Sequence, residues 1–170
     1  MNLIIDWRFL NHSWAAAMRL FILSSFCLAL AGCGLDQTTY RADKPVSAAA
    51  ASKRIAVPFP SSAKDVYYLF HAGGMQEMEM FVRFTVDPKD LDTAVTDILA
   101  DHDKITREHH SYLSLPAPDA PRSHFAGVTP MPWWTPDAIT NGYYRASTNG
   151  QPFYVWADLS QHTVYLCTHD

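Results

Sequence analysis

The sequence lacks the compact motifs that mark common enzyme and metal sites. It has no H-E-x-x-H pair, no C-x-x-C pair and no G-x-S-x-G turn around a serine. Gly73-Gly74 is not followed by the Gly-Lys-Ser/Thr of a phosphate-binding loop, so we interpret it as a turn. The sequence therefore predicts no catalytic residue, no cofactor and no metal ligand.

Positive charge is also scarce. The chain has 13 Lys and Arg against 17 Asp and Glu, which gives a formal net charge of -4 at neutral pH. Such a balance offers no electrostatic support for binding nucleic acid, and we expect no partner of that class. A length of 170 residues fits one domain and is too short for two domains of typical size. We therefore expect a monomer with one folded domain.

No hydrophobic run is long enough for a membrane span. The apolar run at residues 20–32 falls short of the ~20 residues that a transmembrane helix requires. Arg19 precedes this run and a polar tract follows it, which is typical of a secretory signal. We predict a signal peptide over residues 1–32. Met18 is favoured as its true start because Asp6 fits a basic n-region poorly, and an unusually long n-region is the alternative.

The apolar run ends in Leu30-Ala31-Gly32-Cys33, a pattern that resembles the lipobox of bacterial lipoproteins. The resemblance covers residues 19–33 and implies that the Cys33 thiol receives a diacylglyceryl group before a peptidase cuts ahead of it. An ordinary signal cleavage site is the alternative. Acyl chains contribute about 0.8 kcal/mol per buried CH₂, so two or three would anchor the protein to a membrane. Because Gly34 and not Asp follows the cysteine, the resemblance favours the outer membrane over the inner, with the domain facing the periplasm.

This processing would leave no cysteine pair in the mature chain. Cys27 would leave with the signal and Cys33 would carry lipid, so Cys167 would have no partner. A disulfide framework is therefore excluded, and the fold must depend on its core. Cys167 lies in the strand-like run Thr-Val-Tyr-Leu-Cys-Thr, and we expect a buried, unreactive thiol there.

The mature chain divides into a polar segment and a folded domain. Residues 33–54 are Ala-rich and polar, and we predict a flexible tether after the lipidated cysteine, or else a short helix. The single domain is predicted over residues 55–170. Its elements are strands over 66–70 and 77–86, a helix over 88–103, a proline-rich loop over 104–141, and three strands in the last thirty residues.

Two local patterns carry this assignment. Met78, Met80, Val82, Phe84 and Val86 alternate with mostly polar residues, and Phe81 is the exception, so the segment predicts a half-buried strand. Asp87-Pro88 then predicts a helix start, with Asp as the N-cap. We expect an α+β fold: an antiparallel sheet built from a β-hairpin and a three-stranded meander, with one main helix packed on one face.

The most distinctive local run is Met131-Pro132-Trp133-Trp134-Thr135-Pro136. Paired tryptophans in a proline-rich loop could form an exposed platform for an envelope protein, a peptide or a glycan. Trp133 and Trp134 are therefore the candidate binding residues. The alternative is that both rings close over one end of the sheet, because large aromatic side chains are mostly buried.

The densest group of possible metal ligands lies after the predicted helix. Its members are Asp101, His102, Asp103, Glu108, His109 and His110. Their spacing matches no known zinc motif, so we favour a solvated helix end. The sequence thus favours a lipid-anchored envelope protein with a small non-enzymatic binding or accessory domain whose ligand it does not identify. The alternative is an envelope hydrolase or metal-dependent enzyme that uses residues 101–110.

Overall fold

Seven strands form one antiparallel sheet in the computed structural model, which describes residues 38–73, 78–106, 110–120, 131–148 and 152–169. The predicted signal and Cys33 lie outside these residues. The strands are β1 (Thr38–Val46), β2 (Lys64–Ala72), β3 (Met78–Thr85), β4 (Tyr112–Pro116), β5 (Gly142–Ser147), β6 (Phe153–Asp158) and β7 (Thr163–His169). The helices are α1 (Ala48–Ala51), which is a single turn, and α2 (Leu91–Thr106). The predicted α+β class, an antiparallel sheet with one main helix, is confirmed.

The spatial order of the strands is β1-β2-β3-β7-β6-β5-β4. The chain leaves the middle of the sheet after β3, passes through α2 to the far edge at β4, and returns strand by strand to β7. β7 then pairs with β3. This pairing places residues such as Arg83 and Tyr165 directly opposite each other, although they are distant in the sequence.

Helix α2 covers one face of the sheet. Its buried residues recur at helical spacing, and they are Leu91, Ala94, Val95, Ile98, Leu99 and His102. The predicted helix over 88–103 differs at its ends, because a 3₁₀ turn at Pro88–Asp90 precedes α2 and the helix continues to Thr106. Asp87 is the N-cap residue of this 3₁₀ turn, as predicted, but its side chain makes no capping hydrogen bond; it lies 3.4 Å from the Lys64 ammonium.

Strand β3 contributes apolar side chains to both faces of the sheet. Met80, Val82 and Phe84 belong to the helix-facing core, as the period of two predicts. Phe81, the exception in that pattern, is fully buried on the opposite face. A second apolar cluster therefore exists on the side of the sheet that faces away from α2.

The described parts of the proline-rich segment cover this second face. Ala117, Trp133 and Ile139 are buried there, and Met131 and Trp134 pack against them. Short 3₁₀ turns at Ala117–Asp119 and Pro136–Ala138 shape the described parts of the segment. The sheet is therefore enclosed by a helix on one side and by an aromatic loop on the other.

The segment predicted as a tether differs from expectation. Residues 38–54 contain β1, which pairs with β2, and the turn α1, so the folded part begins before Ile55. Ser47 Oγ accepts the Ala50 N–H at 3.2 Å, and Ala51 is fully buried. Small alanine side chains permit this close packing, although their composition suggested a flexible segment. Among the described residues no helix has the length and hydrophobicity to cross a bilayer.

Candidate binding cleft

A cross-strand row on the loop-covered face places an arginine between two tyrosines. Tyr67 on β2, Arg83 on β3 and Tyr165 on β7 lie directly opposite one another in the register of the sheet. The Arg83 guanidinium lies 5.2 Å from the Tyr67 ring centroid and 5.9 Å from that of Tyr165. Cation–π contacts of this kind hold a guanidinium in place without neutralising its charge.

The edge strand β1 adds a second arginine and a carboxylate. Arg41 Nε donates to Asp43 Oδ2 at 2.6 Å, and Trp133 Nε1 donates to Asp43 Oδ1 at 3.3 Å. The hydrogen bond from Arg41 lowers the pKa of the Asp43 carboxyl below its ordinary value, with a smaller contribution from Trp133. Asp43 is therefore ionised at neutral pH, and it ties β1 to the aromatic loop.

These side chains line an open cleft of ≈ 660 Å³. The lining residues are Arg41, Asp43, Tyr67, Arg83, Pro132, Trp133 and Thr135. The Tyr67 and Trp133 rings stack with centroids 5.7 Å apart and planes 25° apart, which gives the cleft a rigid aromatic wall. Two guanidinium groups and one carboxylate give this lining a net charge of +1, on a chain whose net charge is -4.

The two candidate tryptophans occupy different environments. Trp133 lines the cleft and is 8% exposed, so only a small part of its side chain is available to a ligand. Trp134 does not line the cleft. Its ring makes edge-to-face contacts with Phe81, Trp156 and Tyr165, at centroid distances of 5.1, 5.9 and 5.6 Å.

The fold also brings together part of the predicted His/Asp group. His102, Asp103 and His110 have potential ligand atoms within 4.8 Å of one another. Burial, together with the nearby His110, lowers the pKa of His102, and Asp103 opposes that shift. Asp101 instead lines an apolar cavity of ≈ 190 Å³ between α2 and the sheet, and Glu108 and His109 lie outside the described residues.

Sequence reasoning missed four residues of the cleft: Arg41, Asp43, Tyr67 and Arg83. Arg41 and Asp43 lay in the segment interpreted as a tether, and Arg83 was assigned to a polar face of its strand. One signal was available, because a period of two places Arg83 on the same face as the exceptional Phe81. That combination indicates a mixed aromatic and cationic surface.

Comparison of the chain with protein families, curated proteins and solved structures gives no match. No relative therefore supplies an activity, a ligand or a partner for this chain. The functional conclusion depends on the cleft and on the amino-terminal motif. Likeness of fold would in any case not transfer a function without a matching site.

Proposed function

We propose that this protein is a lipid-anchored bacterial envelope protein whose domain binds a carboxylate-bearing peptide or glycan in the Arg83 cleft. One observation carries the ligand class: among the described residues, Arg83 has no acidic partner although it is held in a fixed position. A half-buried guanidinium between two aromatic rings retains its charge and its donors. It is therefore available for an anionic group that enters the cleft.

Carboxylate is favoured over phosphate by the charge of the cleft. The planar guanidinium matches either group with two parallel hydrogen bonds. A carboxylate carries one negative charge, which the net +1 lining balances. A phosphate dianion would leave one negative charge uncompensated in this lining, beside the ionised Asp43. The Thr135 hydroxyl and the exposed part of the Trp133 side chain complete a site for the polar and apolar parts of the same ligand.

Binding is favoured over catalysis at this cleft by the groups that line it. The described lining residues include neither a histidine nor a cysteine, and the only carboxyl group, Asp43, has a lowered pKa. General acid–base catalysis needs a group that titrates near the working pH. The domain is therefore an accessory or recognition module.

The membrane is the second partner in this proposal. The lipobox-like run at Leu30 to Cys33 supports acylation of Cys33, and Gly34 supports the outer membrane. The acyl chains then hold a monomeric domain at the periplasmic surface, close to envelope peptides and glycans.

Membrane fractionation with labelled lipid tests the anchor. We expect Cys33→Ser to abolish lipid incorporation and to release the protein from the membrane fraction, because serine has no thiol to form the thioether. Cys27→Ser is the matched control, since Cys27 lies within the predicted signal and should be dispensable for acylation. Unchanged lipid incorporation in Cys33→Ser would overturn the anchor.

Calorimetric titration tests the ligand class. The probes are short peptides with a free carboxyl terminus and the same peptides with an amidated terminus. We expect binding of the free acids only, and Arg83→Gln to weaken it about tenfold or more, since a charge-assisted hydrogen bond contributes ~1.5–3 kcal/mol.

Arg145→Gln is the matched control for the cleft. Arg145 also lies over a tyrosine ring, 5.6 Å from the Tyr143 centroid, but it does not line the cleft. Its substitution should leave the affinity unchanged. Equal binding of acid and amide peptides, or equal losses in the two arginine variants, would contradict the proposal.

A further inference from the structure

A buried polar cluster lies where the end of helix α2 meets strand β4, on the face of the sheet opposite to the cleft. His102 and Asp103 belong to the last turns of α2, and His110 precedes Tyr112, the first residue of β4. His102 is 8% exposed and His110 is 3% exposed, whereas the Asp103 side chain is 23% exposed. The cluster is therefore enclosed, with access from solvent on the carboxylate side.

One carboxylate oxygen organises the cluster. Asp103 Oδ1 accepts the Tyr112 hydroxyl at 2.7 Å and the His110 backbone N–H at 3.2 Å, and His110 Nδ1 lies 3.0 Å from it. The His110 ring is therefore held through Nδ1, and in the neutral ring the lone pair is then on Nε2. A carboxylate that fixes a histidine in this way is the usual support of a metal-binding imidazole.

The Tyr112 hydroxyl fixes the tautomer of His102. A phenol has one proton, and the shortest contact assigns it to Asp103. The hydroxyl oxygen therefore accepts from His102 Nδ1, 3.0 Å away, and the lone pair of His102 is on Nε2. That nitrogen is buried and has no hydrogen-bond partner among the described residues. An unpaired buried acceptor is costly, and a bound cation would satisfy it.

The two imidazoles are close enough to share one ion. Their ring centroids are 4.4 Å apart, and ligand atoms of all three groups lie within 4.8 Å. Metal–nitrogen bonds of about 2.0–2.1 Å in a tetrahedral site place ligand atoms a little over 3 Å apart, which two neighbouring imidazoles can reach. Imidazole ligands favour a divalent transition metal over Mg²⁺ or Ca²⁺.

We propose that His102 and His110 bind a divalent transition-metal ion such as Zn²⁺ through their Nε2 atoms, with Asp103 and Tyr112 as positioning residues that hold the two rings through Nδ1. No metal motif is visible in the sequence because the ligands come from the end of a helix and from the segment before the next strand. The site goes beyond the proposed carboxylate binding and is independent of it. His102 stacks on Phe153 in the helix-facing core, 4.0 Å between centroids, whereas Arg83 lies on the other face.

Equilibrium dialysis of the full chain against Zn²⁺, with Mg²⁺ as a comparison, tests this site. The protein is purified in detergent without a histidine tag and is first treated with a chelator. We expect one Zn²⁺ per chain and no uptake of Mg²⁺. His110→Ala should abolish uptake, and Tyr112→Phe, which keeps both imidazole ligands, should weaken it 10–100-fold, roughly the usual effect of losing an outer-shell hydrogen bond.

His162→Asn is the matched control. His162 lies just before β7, about 20 Å along that strand from the end near His102, at roughly 3.3 Å per residue. This variant should bind Zn²⁺ as the natural chain does. Absence of stoichiometric uptake, or uptake that survives His110→Ala, would overturn the site.

Imidazole nitrogen NMR of the natural chain covers the case in which His110→Ala fails to fold. Addition of Zn²⁺ should shift the resonances of His102 and His110, because coordination withdraws electron density from the ligating nitrogen. A response confined to other histidines would place the ion elsewhere and refute the proposal.

Discussion

Trp134→Ala should be among the most destabilising single substitutions in this chain. The Trp134 ring is edge-to-face with Phe81, Trp156 and Tyr165, and it closes the second apolar cluster. Truncation of a buried Trp costs about 3–5 kcal/mol, and each edge-to-face pair accounts for ~0.5–1.5 kcal/mol beyond burial alone. Trp134 is partly exposed, and its indole N–H has no partner among the described residues. We therefore expect the lower end of that range, about 3 kcal/mol.

Urea unfolding followed by circular dichroism measures this effect. A loss of about 3 kcal/mol moves the midpoint by roughly 1–3 M, given typical slopes of ~1–3 kcal/mol per M. Leu159→Ala is the control, because Leu159 is 42% exposed, and exposed sites usually change stability by less than about 0.5 kcal/mol. A cost below ~1 kcal/mol for Trp134→Ala would show that the ring is not part of the core. That result would favour the hypothesis that the paired tryptophans form an exposed binding platform.

The elements that local pattern predicts best are those whose burial matches their periodicity. The apolar stripe of α2 and the alternation of β3 both follow from spacing along the chain, and the structure contains both. Strand β1 could not be found in this way. Its only fully or nearly buried position is Ala42, and the remainder of this edge strand is exposed or half-exposed, so its pattern resembles that of a polar linker. Pairing with β2 holds it in the sheet, and such pairing is not visible in local sequence.

The cleft was harder to predict than the fold because distant segments make it. Arg83 meets Trp133 only because described parts of the proline-rich loop lie on the second face of the sheet. His102, Asp103 and His110 are close in sequence and were named as possible ligands, but their convergence depends on where the end of α2 lies relative to the start of β4. Their spacing matches no known motif, so sequence alone did not indicate that they meet.

Three further outcomes follow from burial in the sheet. Cys167 is buried, as predicted, and has no disulfide partner among the described residues; it should react with thiol reagents only after denaturation, and rapid labelling of the native protein would contradict this. Gly142→Ala should lower the urea midpoint strongly, because the added Cβ would clash with the Ala157 carbonyl oxygen; an unchanged midpoint would show that β5 and β6 separate easily. Stability should also fall at alkaline pH. Burial raises the pKa of Tyr144 from 10.0 to about 12, with smaller contributions from its neighbours, and burial likewise raises the pKa of the Cys167 thiol. Between about pH 10 and pH 12 the unfolded chain therefore loses protons that the native protein keeps, so the free energy of unfolding decreases as pH rises through this window. The urea midpoint should be lower near pH 11 than near pH 8, and Tyr144→Phe should reduce that difference, since phenylalanine has no proton to lose. Two results together would refute the assigned burial of these groups. The midpoints would be equal at the two pH values, and the unfolded protein would show no more tyrosinate absorbance than the folded protein.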